Sequence, residues 1–90
     1  MHFEWDSAKA IVNLQKHGVS FDEASTVFKD DFAATALDPD HAHAEVRFLS
    51  FGVSSAGRLL VESHTDRGKA VRIISARVAT RLERRYYEEA

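Results

Sequence analysis

An α+β fold, with helices packed on one face of a small antiparallel sheet of three to four strands, is what this 90-residue sequence predicts. Three observations carry that expectation. Two capped segments of helical period open the chain, β-branched runs broken by short turn signals fill its middle, and the helical period returns at its end. The length suits one domain, residues 1–90. With 44% hydrophobic and 29% charged residues, four glycines and one proline, the composition excludes disordered and collagen-like classes.

Each element has its own signal. Asp6 or Ser7 caps a first helix running to about His17, in which Ala8, Ile11, Val12 and Leu14 form one stripe and Lys9, Asn13 and Lys16 another. Gly18 stands at its C-terminal end. Ser20-Phe21-Asp22-Glu23 reads as a capping box opening a second short helix that ends near Lys29, with Phe21, Ala24 and Phe28 on one side. An edge strand from Ala33 to Leu37 and a turn at Asp38-Pro39-Asp40 follow.

Val46 to Val53, Arg58 to Thr65 and Ala70 to Ala76 then form a meander of hairpins. A three-residue loop, Asp66-Arg67-Gly68, would pair Thr65 with Lys69 and turn Leu59, Val61 and Ser63 toward the helices. Glu62, His64 and Arg72 would then lie on the open face. From Ser75 onward Val78, Leu82 and Tyr86 mark a last helix.

Charge divides the chain. The net charge is −2, but residues 1–56 hold four basic residues against nine acidic ones, whereas residues 57–85 hold eight against three. Seven of those eight are arginine, whose planar fork grips phosphate at two points, so a polyanion is the expected partner. An ordinary solvated face with intrachain ion pairs is the alternative.

Without cysteine, disulfide frameworks, thiolate zinc sites and cysteine nucleophiles are excluded. The opening residues lack the pattern of a signal peptide and no run approaches a membrane span, so a cytoplasmic location and no membrane association are expected. His41 and His43 beside Asp40 have no closing ligand set, so no metal and no cofactor are expected.

Cleaving RNA without metal requires a group to take the proton of the 2′-hydroxyl, cations to offset phosphorane charge and an acid for the leaving oxygen. His64, Arg67 and Arg72 cluster near one hairpin end, and Arg77 leaves the last strand with Arg81 one helical turn on. His64 is a candidate proton carrier or a bystander on a strand. Tyr86 or Tyr87 offers a phenol or a stacking ring, and Arg58 a cation on the open sheet face. Lys16 and His17 are either RNA contacts or partners of a negative helix terminus, and Trp5 is either a stacking plane or core.

Phe3-Glu4-Trp5-Asp6, with Lys9, Asn13, Lys16-His17-Gly18-Val19-Ser20-Phe21 and Glu23-Ala24, resembles the opening of the BrnT toxins of bacterial type II toxin-antitoxin systems. Arg47-Phe48, Gly52, Gly57-Arg58, His64-Thr65-x-Arg67, Arg72-Ile73-Ile74-Ser75-Ala76-Arg77 and Glu83-Arg84-Arg85-x-Tyr87 extend the likeness to almost the whole chain. The resemblance implies a RelE-like α+β fold and a ribonuclease that arrests translation and growth. It also implies neutralisation by a BrnA-type antitoxin with a ribbon-helix-helix domain, through which alone the complex reaches operator DNA. It places functional arginines at Arg67 and Arg77. The expected site is therefore Arg67, Arg72 and Arg77 on the scissile phosphate, His64 for proton transfer, and Lys16, Arg58, Arg81 and Tyr86 on the RNA. A binding module that docks nucleic acid or an acidic protein and catalyses nothing is the rival reading.

Overall fold

A computed structural model describes residues 1–39 and 45–89. The elements are β1 (His2–Glu4), α1 (Ser7–His17), α2 (Phe21–Ser25), a 3-10 turn (Thr26–Lys29), β2 (Ala34–Leu37), β3 (Phe48–Val53), β4 (Leu59–Arg67), β5 (Ala70–Val78) and α3 (Arg81–Glu89). They build a five-stranded sheet in the order β1-β5-β4-β3-β2. The expected three to four antiparallel strands are thus corrected to five in a mixed sheet, because β1 adds to β5 in parallel through Phe3↔Val71. A strand of three residues is too short to show a period, and its partner lies almost seventy residues away.

The caps form as their residue types dictate. The Asp6 side chain accepts the Lys9 N–H, the Ser20 hydroxyl accepts the Glu23 N–H, and Gly18 closes α1 in the left-handed conformation. The stripe on α1 does not meet the core as its pattern suggests. Ile11, Val12 and Leu14 are exposed, while Asn13 is buried. Its Nδ2 donates to the carbonyls of Val19 and Ala76 at 3.0 and 2.8 Å, and its Oδ1 accepts the Ala76 N–H at 3.1 Å. β1 pairs only with residues 70–72, so β5 has an unpartnered edge beyond that point, and one amide side chain satisfies it.

The β4–β5 hairpin also differs from expectation. Its loop is Gly68-Lys69 alone, with Arg67 opposite Ala70. Gly68 takes φ 62° at the first central position, the conformation a type II′ turn requires there. Further out, His64 faces Ile73 while Ser63 faces Ser75, so Ile74 is an extra residue bulged from β5.

The new register reverses the faces. Leu60 joins Val19, Phe21, Ala24, Val27, Ile73 and Ala76 in the core beneath α1 and α2, with Phe3, Trp5, Ala10 and Ala33 packed around them. Trp5 is therefore core-side, meeting Phe21 edge-on at 6.0 Å. Glu62 and His64, on the same side of β4 as Leu60, point under the helices rather than to the open face. The last helix begins at Arg81, not near Ser75, since β5 runs on to Val78 and Thr80 caps α3. Nor do all helices share one face. α3 approaches the other side, where Glu83, Tyr86 and Tyr87 line a pocket with Phe51 and Ala34.

Candidate functional site

The sheet face opposite α1 and α2 gathers arginines from distant parts of the chain. Strand pairing places Arg67 and Thr65 of β4 beside Ala70 and Arg72 of β5, and Val61 beside Arg77. Side chains alternate along a strand, and the bulge at Ile74 keeps Arg72 and Arg77 on one face across an odd separation in sequence. Arg47, just before β3, joins the same row through Glu45, which lies 3.9 Å from Arg47 and 3.5 Å from Arg67.

Every one of these cations has a carboxylate beside it. Arg72 meets Glu4 of β1 at 2.7 Å, and Arg77 grips Glu83 of α3 in a two-pronged pair at 2.7 and 2.8 Å. Arg77 holds the Glu83 carboxyl down to about 2, with help from the Thr80 N–H, and Glu83 raises Arg77 in return. The guanidinium groups are not sealed below the surface, since Arg67 keeps 50% and Arg77 40% of its side chain exposed. The more exposed pairs are weak, and even the bidentate Arg77–Glu83 pair is open to solvent on the arginine side, so an incoming phosphate can compete with the carboxylates.

His64 lies on the reverse side. Its Nδ1 is 2.6 Å from Glu62, and its ring stacks on Phe48 and meets Phe28 edge-on. Glu62 is fully buried, and burial pushes its carboxyl up. Arg58 also turns to the helical layer, where it binds Glu23 and donates to the Gly18 carbonyl at 2.9 Å, clamping the β3–β4 turn to the α1–α2 corner. Arg81 and Tyr86 are exposed on α3. Tyr87 donates its hydroxyl to Asp30, which raises the phenol to about 12 and lowers Asp30.

Lys16 stands at another place, in an open groove of about 370 Å³ between α1 and β5 lined by Lys9, Val12, Lys16, His17, Ile74 and Ser75. The sequence singled out Arg67, Arg72 and Arg77 but set Arg77 at the far end of the hairpin; the observed register brings the three to one face and adds Arg47, Glu4 and Glu83 to it. The Glu83 role has a sequence signal in Thr80-Arg-Leu-Glu83, a capping box whose third residue is then near the end of β5. Among the described residues no group of His, Cys, Asp and Glu is arranged to hold a metal, and no helix is long and apolar enough to cross a membrane. Asp40, His41 and His43 lie outside the described residues.

A family model described as the ribonuclease toxin BrnT of type II toxin-antitoxin systems matches residues 5–83. The chain belongs to the BrnT family. Membership makes RNA the target class, ribonuclease toxin the activity and an antitoxin protein the partner. The crystal structure of the Brucella abortus ribonuclease toxin BrnT is similar, with a TM-score of 0.66 and 23% identity over 90% of this chain and 99% of that one. At that identity the likeness speaks for the fold, α+β with helices around a small sheet. No curated protein matches the chain. The BrnT match spans β1's last neighbour through the first turn of α3, so it includes Arg67, Arg72, Arg77 and Glu83.

Proposed function

We propose that residues 1–90 form one RelE-like toxin domain, an endoribonuclease acting in the cytoplasm that cleaves RNA without a metal ion and so inhibits translation and growth. The observation that carries this reading is the row Arg47, Arg67, Arg72 and Arg77 on a single sheet face, each partly exposed and each beside a carboxylate that phosphate can replace. Arg67, Arg72 and Arg77 hold the phosphate chain and offset the charge that grows on the phosphorane, work that a metal does in other nucleases. Arg81 and Tyr86, on the exposed side of α3, extend the contact beyond the sheet, Tyr86 by stacking on a base. Lys16 meets the RNA from the groove at the sheet's edge, and Arg58 supports the face from behind through its clamp. His64 supports the same sheet from its reverse side, through Glu62, rather than meeting RNA directly.

A BrnA-type ribbon-helix-helix antitoxin neutralises the toxin by covering the arginine face with acidic groups, and operator DNA is reached only through that antitoxin. The experiment is incubation of the purified chain with a defined RNA in EDTA, followed by analysis of the new ends. Cleavage with a 2′,3′-cyclic phosphate is expected, and Arg77→Ala is expected to lose at least about 100-fold in rate. A folded Arg77→Ala that cuts at the parent rate removes Arg77 from the site.

The carboxylate beside every arginine of the row favours one second reading, a module that binds RNA and leaves it whole. Salt-dependent complexes without products at any time would decide for it.

A further inference from the structure

We propose that His17, in the groove between α1 and β5, takes the proton from the attacking ribose 2′-hydroxyl, with Lys16 holding the RNA backbone beside it. The inference rests on the nuclease reading above and adds an imidazole as base to a face whose own proton acceptors are carboxylates held by arginines.

Three structural features place His17 at the edge of β5, beside that face. β1 ends its pairing at Arg72, and in place of another strand α1 stands against the following edge of β5. Asn13 fixes the helix there through both polar groups of Ala76, and Lys16 and His17 follow one turn later, the spacing that keeps them on the same side of the helix. The bulge at Ile74 leaves Ser75 exposed on the lip of the groove, and Ser75 shares its sheet face with Arg77, about 7 Å further along the strand. An RNA strand crossing that lip passes from the arginines to His17 without leaving the surface.

The electrostatics agree. Lys9, Lys16 and His17 line the groove with no carboxylate among its lining residues. Lys16 and His17 are exposed, and no ion pair to either occurs among the described residues, in contrast with the arginines of the face. The other described histidines are placed differently. His64 is buried against Glu62, and His2 lies level with Ala70 at the hairpin end, away from Arg77.

In the step assigned to it, neutral imidazole accepts the 2′-hydroxyl proton as the 2′-oxygen bonds to phosphorus. The phosphorus–5′-oxygen bond breaks, the 5′-oxygen takes a proton from water, and the imidazolium returns its proton to solvent. A 2′,3′-cyclic phosphate and a 5′-hydroxyl result.

The test compares the unmodified chain, His17→Gln, His17→Ala, Lys16→Ala and Arg77→Ala on one 5′-labelled single-stranded RNA in EDTA. His17→Gln is expected to lose at least about 100-fold in cleavage rate at unchanged RNA affinity, with free imidazole restoring cleavage to His17→Ala. Lys16→Ala is expected to weaken binding and lower the salt slope by about one. If His17→Gln cuts at the parent rate while Arg77→Ala does not, or if imidazole restores nothing, the assignment to His17 is wrong and the arginine face stands. If the unmodified chain binds this RNA but never cuts it, the nuclease reading falls and takes His17 with it.

Discussion

Asn13 does for β5 what a neighbouring strand would do, satisfying the N–H and the carbonyl of Ala76 together with the carbonyl of Val19. Asn13→Ala leaves three buried backbone groups without partners, and each such group costs about 1–3 kcal/mol unless water reaches it. A loss of about 2–4 kcal/mol in urea denaturation is therefore expected. Glu83 gives a second prediction at this scale. Its carboxyl titrates at about 2 in the folded chain, below the ordinary 4.5, so the stability it adds is full above about pH 4.5 and disappears as pH falls through 2. Glu83→Gln should be less stable than the parent at pH 7 and equal to it near pH 2, as measured by chemical denaturation. The same substitution frees Arg77, so RNA affinity should rise at neutral pH. A variant with unchanged stability at pH 7 would show that the Arg77 pair contributes nothing to folding.

At the scale of the element, α3 is held by its ends rather than by a buried face. None of its residues is buried, and Leu82 and Tyr86 are exposed. Its fixed points are the Thr80–Glu83 box, the Arg77 pair and the Tyr87–Asp30 hydrogen bond. Thr80→Ala removes the cap, and a cost of about 1 kcal/mol is expected, with faster amide exchange confined to the first turn of α3. The capping box was present in the sequence, yet the apolar spacing of Val78, Leu82 and Tyr86 draws the helix start too early. Val78 belongs to β5, and the helical period there is a coincidence of strand end and helix face. In α1 the stripe Ile11, Val12 and Leu14 shows the opposite limit, because an apolar period locates a helix without saying which neighbour it meets.

For the whole molecule, the charge division of the sequence becomes a spatial one. The acidic first half supplies Glu4 and Glu45, which sit on arginines of the sheet, and Glu23, which holds Arg58. In the proposed binding mode RNA displaces the carboxylates on the sheet, and the phosphate contacts that replace them release counterions. Affinity is expected to fall with salt at a slope of about −0.7 per phosphate engaged, so about four arginines give a slope near −3 in a fluorescence titration. A slope near zero would mean that the arginine row is not where RNA lies.

The local physics of neighbouring residues made the three helices, the caps of α1 and α2, the edge strand and the hairpin meander legible in the sequence, because caps, glycine turns and periodicity act over a few positions. Composition alone made the arginines the expected polyanion-binding groups. Which face each residue occupies did not follow. One loop residue fewer and one bulged isoleucine turned Glu62 and His64 inward and left Arg72 and Arg77 together outside. The parallel pairing of β1 and the docking of Asn13 on β5, which places His17 in the groove beside Ser75, depend on contacts between segments about sixty to seventy residues apart. Such contacts are selected by how the complete core packs, and only the tertiary structure decides them.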